Sequence, residues 1–414
     1  MPSEPIGTSK ENFLFLGFAI PDEEIKKTYA EDKAPQVQTQ KFVWNLIKGL
    51  TIVSDANLTF ISARPVSDYP YYTKKFIKKT KWDVPIGPKQ IQILEIPFIN
   101  TSILKILTRF FSGLFYSVLC FHKKQYKKGV IVYSVHVPFM LIGFLISKIY
   151  GIELIGVWTD PPSVLTKRES RMKTALRCVE MGVSKWLMRR FSKVVVLTRH
   201  LAEDYAPGKP YLVIEGIVDE NDAVNIETLT EKHNNQTTGQ IKVVYTGALK
   251  EEYGIKNIVE AIRLSDSDNL VCDIYGSGNY EEELIGLSQI DSRIRFKGWV
   301  PNNVSLQAQR DADFLINARS ADDSYVKYSF PSKTLEYMLS GTPLITTILP
   351  GMPAEYKDYV IELKDNSAKT ICETLLKATS LDSNRRKEIG LKAVEFAKKK
   401  NYLAQAKNIN IFLN

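Results

Sequence analysis

The sequence predicts an α/β protein of two Rossmann-like parallel-sheet domains facing a cleft, and three observations predict it. Short apolar runs alternate with helical patterns along almost the whole chain, the signature of parallel strands joined by crossover helices. The length of 414 residues exceeds what one hydrophobic core supports and fits two domains. The alternation also stops once, in the polar, aperiodic stretch 219–240 rich in Asn, Glu and Thr, and then restarts. With the hinge placed near Gly216, residues 1–216 form the first domain and 217–401 the second.

In the first domain, residues 13–20 form an apolar strand followed by a turn at Pro21-Asp22. Residues 40–50 space Phe42, Trp44 and Ile47 as a helix does, and 58–62 and 91–96 read as strands. Residues 103–128 read as a long amphipathic helix ending in a basic run, followed by a strand at 130–134. His136 and Pro138 open a helix reaching 149. A strand at 152–157 precedes Thr159-Asp160-Pro161-Pro162, and 167–191 is a second basic helix. The strand 194–197 is expected to lead to a helix capped by Thr198. In the second domain, strands at 242–246, 271–275, 294–297, 314–318, 344–347 and 360–363 alternate with helices at 254–262, 280–287, 303–309 and 333–339. Helices at 368–379, 383–400 and 402–412 complete the chain.

Composition narrows the class. Hydrophobic residues make up 44% and charged residues 24%, which are globular values. Cys120, Cys178, Cys272 and Cys372 are widely spaced, and His122, His136, His200 and His233 form no ligand pattern, so no metal site and a reducing compartment are expected. The net charge is +9, and Lys and Arg concentrate in 103–128 and 166–193 among aromatic residues. That suits an anionic membrane surface. Nucleic acid is set aside, since no recognised binding module is present. The N-terminus is polar, without the apolar core of a signal peptide, and the longest apolar run, 139–149, is expected to be too short to span a bilayer. The expectation is a cytoplasmic protein, peripheral on the inner face of the plasma membrane.

The chemistry concentrates in residues 329–347. Ser329, Phe330, Pro331 and Ser332 lead into a short helix, with Ser332 able to cap it, and Gly341 stops the helix before a buried strand. Lys333 and Glu336 are three residues apart and share one face. A helix start with a lysine suits a diphosphate, and a carboxylate one turn on can accept from two vicinal hydroxyls. The bland reading is a surface Lys–Glu pair. Glycines follow other strand ends, at Gly247, Gly276, Gly278 and Gly298, where a ligand can approach the backbone; each is equally consistent with an ordinary turn. In the first domain, Gly17 ends a strand, His136 follows another, and Asp160 follows a third. Structural readings stand beside these: a strand end for Gly17, a core histidine, and an Asx turn at Asp160.

The motifs Val-Tyr-Thr-Gly with Tyr-Gly-Ile, Ile-Tyr-Gly-Ser-Gly, Phe-Lys-Gly-Trp-Val, Ala-Asp-Phe-Leu-Ile-Asn and Phe-Pro-Ser-Lys-x-Leu-Glu-Tyr-Met-x-x-Gly-x-Pro occur in order over 241–347. This series resembles the donor domain of the family 4 glycosyltransferases, retaining enzymes of the GT-B fold that use nucleotide sugars. The resemblance implies that Glu336 holds the donor ribose, that Gly298-Trp299-Val300 contacts the base, and that the last helix, about 402–414, joins the first domain. It places His136 beside the donor sugar, makes Asp160 a candidate to orient acceptor or histidine, and makes 103–128 and 167–191 membrane-docking helices of the kind used with lipid-linked acceptors. The sequence departs from the family at Tyr328, where a sugar-binding acid is usual, and at Ala248 and Tyr253, where the diphosphate cations usually lie. Diphosphate binding then falls to Lys333, helix N-termini and Lys250.

The reading is a retaining, metal-independent glycosyltransferase without cofactor. Its donor is a nucleotide-diphosphate sugar, UDP before GDP, and its acceptor a glycan or lipid-linked saccharide of bacterial surface polysaccharide assembly. Asp266-Ser-Asp268 and Asp311-Ala-Asp313 have the spacing of a metal motif but are expected at helical or loop surface positions. A nucleotide-sugar 2-epimerase and a non-catalytic sugar-nucleotide-binding subunit are the alternatives on the same fold.

Overall fold

The computed structural model describes residues 12–33, 37–122, 128–162, 171–225, 239–323 and 325–414. The chain divides into two compact units, Met1–Ile217 with Tyr402–Asn414, and Val218–Asn401.

Unit 1 is built on an eight-stranded sheet. Its strands are β1 (Asn12–Gly17), β2 (Asn57–Ser62), β4 (Thr80–Ile86), β5 (Lys89–Glu95), β7 (Gly129–Tyr133), β8 (Glu153–Trp158), β9 (Lys193–Val196) and β10 (Tyr211–Val213). Their spatial order is β10-β9-β8-β7-β1-β2-β5-β4. All neighbours are parallel except β4 and β5, and a small antiparallel ribbon joins β3 (Phe76–Ile77) to β6 (Phe98–Ile99). The central strands β1 and β7 read NFLFLG and GVIVY and are buried along nearly their whole length, as strands covered on both faces must be.

The helices of this unit are α1 (Asp22–Glu31), α2 (Val37–Val53), α3 (Ser102–His122), α4 (Val137–Tyr150), α5 (Arg171–Met188) and α6 (Arg199–Tyr205). Three differences from the sequence reading have clear causes. Pro21-Asp22 does not make a turn; it opens α1, whose first turn carries Asp22, Glu23 and Glu24 at the positive end of the helix dipole. That helix buries only Ile25 and Thr28, so it has little apolar periodicity to detect. The segment before 91 is the other arm of a β-hairpin: Thr80–Ile86 alternates half-buried and exposed residues and turns at Gly87, whose φ of 55° lies in the left-handed region. Thr198 does sit at the start of α6, but its hydroxyl makes no capping hydrogen bond.

The helix α3 differs in a more consequential way. Its buried positions are Lys105, Arg109, Gly113 and Ser117, one stripe at four-residue spacing. Ile103, Leu104, Leu107, Phe111, Phe115 and Leu119 are on the outside, with Phe111 65% exposed. The basic face expected over 103–128 is therefore turned inward along α3, and the outward face is apolar; residues 123–127 lie outside the described residues. The stretch Ser102–Cys120 is also long and apolar enough, by length and composition, to cross a membrane, which corrects the expectation that the longest apolar run is 139–149 and too short to span a bilayer; 139–149 contains Ser147 and Lys148 and lies in the shorter helix α4. In the second basic helix, residues 163–170 likewise lie outside the described residues, and α5 presents Val179 and Trp186 to the surface.

Unit 2 holds a six-stranded, wholly parallel sheet of β11 (Ile241–Thr246), β12 (Leu270–Tyr275), β13 (Ile294–Gly298), β14 (Phe314–Asn317), β15 (Leu344–Thr347) and β16 (Ile361–Leu363). The order is β13-β12-β11-β14-β15-β16. Around it lie α7 (Ile255–Leu264), α8 (Glu281–Ile290), α9 (Asn302–Asp311), α10 (Lys333–Leu339), α11 (Ala368–Thr379) and α12 (Ser383–Lys398). Asp313 is not a surface residue of a metal motif. It is buried, accepts from the Lys242 backbone N–H at 2.8 Å and pairs with Arg386 at 2.7 Å, tying β11 and β14 to α12.

The last helix, α13 (Tyr402–Leu413), belongs to unit 1. Ala406, Ile409 and Leu413 share its core with Trp44, Ile47 and Leu50 of α2. Gly49 permits the approach, since a Cβ there would collide with the Tyr402 carbonyl oxygen and lie 2.7 Å from the Ala406 Cβ. Gly49→Ala is therefore expected to push α2 and α13 apart at a cost of about 1–3 kcal/mol. Urea unfolding followed by tryptophan fluorescence checks this, because Trp44, Trp82, Trp158 and Trp186 all lie in unit 1. An unchanged midpoint would mean that the two helices have room to spare.

Candidate active site

The arrangement at the carboxyl ends of the unit 2 strands is built from α10 outward. Residues 332–339 turn helical after Phe330-Pro331, and Gly341, with φ 74°, ends the helix before β15. Ser332 occupies the N-cap position but its side chain makes no capping bond, because its backbone is already helical there. Lys333 and Glu336 meet, with Nζ 2.7 Å from Oε1. The same Oε1 accepts from Gln309 Nε2, also at 2.7 Å. Gln309 lies on α9, is fully buried, and also donates to Thr246 Oγ1 at 3.0 Å. The Tyr337 hydroxyl accepts from the Thr246 N–H at 2.8 Å and donates to the Thr246 carbonyl at 2.9 Å. Burial raises the Tyr337 phenol far above its usual range, so it stays a neutral two-way hydrogen bonder. A continuous network thus runs from the end of β11 through α9 to the first turns of α10. Gln309 and Thr246 escaped the sequence analysis because their role is set by a strand and a helix that are distant in sequence.

The glycines at the carboxyl ends of β11, β12 and β13 are placed together by backbone contacts. The Gly276 N–H donates to the Gly298 carbonyl at 2.9 Å, and the Gly247 N–H donates to the Tyr275 carbonyl at 3.0 Å. Any Cβ on Gly276 would strike the Gly247 carbonyl oxygen, and one on Gly278 would strike that of Leu249. Gly276 and Gly278 are therefore required by loop-on-loop contact within the protein, which accounts for them without a ligand. Gly298, with φ 70°, has open space around it and leads to Trp299, which is 72% exposed, and to Val300.

Tyr245 donates to the Ala248 carbonyl at 2.8 Å and fixes the loop in which Lys250 sits. Lys250 is at the surface, 3.5 Å from Glu252. Tyr328 closes a short 3₁₀ turn, and the Ser329 hydroxyl donates to the Val326 carbonyl at 3.3 Å. Phe330 and Pro331 are buried, with the Phe330 ring packed against Tyr356, so their side chains serve the core. A further cation lies after β14: Arg319 stands 4.6 Å from the Tyr253 ring and 5.5 Å from that of Tyr325, and its buried Nε has no hydrogen-bond partner.

In unit 1, Gly17 ends β1 and its carbonyl accepts from the Ala63 N–H and the Ser62 hydroxyl. A side chain there would press on Phe15 and Tyr133. His136 is the N-cap residue of α4, 5.0 Å from both Phe18 and Phe139 in centroid distance. Its buried Nδ1 has no partner. Burial, with help from the nearby Arg109 and Lys105 cations, holds the imidazole well below its usual range and thus neutral near pH 7. Asp160 follows β8 at the surface and accepts from the Thr159 hydroxyl at 2.8 Å.

No curated protein sequence matches the chain. Among solved structures, sucrose-phosphate synthase from Thermosynechococcus elongatus superposes with a TM-score of 0.68 at 12% identity, covering 97% of this chain and 98% of that one. HepE from Anabaena, solved in complex with UDP, gives 0.61 at 14% identity, with 97% and 99% covered. The lipopolysaccharide outer core galactosyltransferase WaaB gives 0.58 at 14% identity, with the same coverage. The α/β fold is thus of the GT-B type, and residues 226–395, which contain Gln309, Lys333 and Glu336, match the family model of the glycosyl transferases group 1.

Proposed function

We propose that this chain is a glycosyltransferase that binds a nucleotide-diphosphate sugar on unit 2 and transfers the sugar to a hydroxyl acceptor. The observation that carries the reading is the Glu336 carboxylate, set between Gln309 and Lys333 at the carboxyl end of a parallel sheet. A carboxylate is the group that accepts from both hydroxyls of a ribose, and its position here is fixed from beneath by a buried amide. Lys333 and Arg319 supply cations for the diphosphate, whose charge grows as the glycosidic bond breaks. Arg319 stands in for the basic pair absent at Ala248 and Tyr253. UDP is the favoured nucleotide, in keeping with the UDP held by HepE, and the reaction is read as retaining and metal-independent. His136, neutral and lacking a partner at Nδ1, is available as a hydrogen-bonding group rather than as a charge.

The acceptor is proposed to be a lipid-linked saccharide of surface polysaccharide assembly, met by a cytoplasmic protein lying on the inner leaflet. The support is the outward apolar face of α3 together with Val179 and Trp186 of α5. Exposed apolar side chains gathered on one helix face mark an interaction surface. Lys105 and Arg109 anchor α3 to backbone carbonyls of unit 1, so the helix lies along the interface instead of crossing the membrane. Because the outward face is apolar, the docking is driven mainly by burial rather than by charge.

Three outcomes test this reading. Glu336→Ala should weaken UDP-glucose binding at least tenfold by calorimetry, the equivalent of about 1.5–3 kcal/mol for hydrogen bonds to a charged group; unchanged affinity would remove Glu336 from the ribose. Lys333→Ala should lower kcat more than it raises the donor Kd, because the charge it answers is greatest in the transition state. In vesicle flotation, the wild type should stay bound at high salt, while Phe111→Glu with Phe115→Glu should release it. Release of the wild type by salt alone would point to the basic residues instead of the apolar face.

A further inference from the structure

The inward stripe of α3 is unusual for what it buries. Lys105 Nζ donates to the Val66 carbonyl at 2.6 Å and to Asp68 Oδ1 at 2.8 Å. Arg109 Nη2 donates to the Arg64 carbonyl at 2.7 Å, and its guanidinium stands 4.3 Å from the Phe98 ring and 5.6 Å from that of Phe18. Arg64 cannot share a counter-ion, since Glu95 is taken up by its guanidinium at 2.6 and 3.0 Å. Asp68 is likewise engaged by Lys105. Arg109 is only 6% exposed, and among the described residues no carboxylate lies within ion-pair distance of it. Its Nε is buried without a partner, as is Nδ1 of His136, whose ring contacts the same Phe18.

A guanidinium at this depth with one hydrogen bond, no ion pair and only the more distant charge of Asp68 to answer it is costly, and an anion would complete it. The location fits. The chain leaves β1 for β2 on one side, while β7 flanks β1 on the other, so the order of the sheet reverses between β1 and β7. Open α/β sheets bind ligands outside the carboxyl ends of their strands at such a reversal. Phe18 follows β1, and His136 follows β7.

We propose that unit 1 holds a phosphate-type oxyanion between Arg109, Lys105 and His136, and that the acceptor carries it. The second half rests on the transferase reading above; the anion site itself does not. Guanidinium and imidazole N–H groups are directional donors suited to phosphate oxygens. The oxyanion could belong to a soluble sugar phosphate or to the phosphate of a lipid carrier. The apolar outer face of the same helix makes the lipid carrier the better match.

The test uses the full chain with its histidines labelled with nitrogen-15, titrated with inorganic pyrophosphate and, separately, with farnesyl diphosphate. Pyrophosphate should move the His136 ring resonances and raise the Tm. Both effects should vanish in Arg109→Met and persist in Glu336→Ala. Immobile His136 resonances at millimolar pyrophosphate, or a thermal shift lost in Glu336→Ala and kept in Arg109→Met, would overturn the site. If Arg109→Met does not fold, the wild-type His136 resonances with Lys105→Gln decide the matter. Tighter binding of farnesyl diphosphate than of pyrophosphate assigns a lipid source, and equal binding a soluble one. If His136 responds while UDP-glucose fails to bind, the anion site stands and the transferase reading falls.

Discussion

The hydrogen bond from Gln309 to Glu336 sets the geometry of unit 2. Gln309 is fully buried, and its amide nitrogen reaches Glu336, Thr246 and Ser305 within 3.3 Å. Its own backbone carbonyl accepts from the Thr342 hydroxyl at 2.8 Å, just past the end of α10. The amide can therefore shift only if β11, α9 and α10 shift together. A carboxylate held this way keeps its orientation without help from a ligand, which lowers the ordering cost of binding. Lys333, by contrast, meets Glu336 from a long and partly exposed stem, so it remains free to exchange one anionic partner for another.

Around that anchor, the strand ends are packed to the limit of backbone contact. Gly276 lies against Gly247, Gly278 against Leu249, and Gly254 against the Ala318 carbonyl. These contacts bring the loops after β11, β12 and β14 so close that only glycine fits, and they leave the nearby N–H groups in fixed positions. The same residues that would let a ligand approach the backbone are consumed by the backbone approaching itself. The two roles are compatible, since a rigid rim is what a binding site needs.

Much of this was legible in the sequence, for identifiable reasons. The unit 2 elements were readable because each strand is a short apolar run closed by glycine or a polar turn, and the Lys333–Glu336 pair follows from helical spacing alone. What escaped was whatever depends on residues far apart in the chain. Gln309 sits 27 residues before its carboxylate partner, and Asp313 pairs with Arg386 across 73. The helix α1 was missed because it buries almost nothing. The helix α3 was recognised as a helix but read the wrong way round: its pattern gives two faces, and nothing in the periodicity says which one turns inward. The usual rule that apolar residues go inside failed there because Lys105 and Arg109 find partners within the fold.

The placement of α13 has a bearing on how the molecule is made. Unit 1 is assembled from two stretches of chain separated by the whole of unit 2. During synthesis, α2 emerges early with its Trp44–Leu50 surface uncovered, and its cover, α13, is translated only after the whole of unit 2. Unit 2, being continuous, can reach its native state on the ribosome while unit 1 waits with an apolar groove open. The order of completion is thus the reverse of the order of emergence, and in the interval between them the apolar surface of α2 in nascent unit 1 stays uncovered.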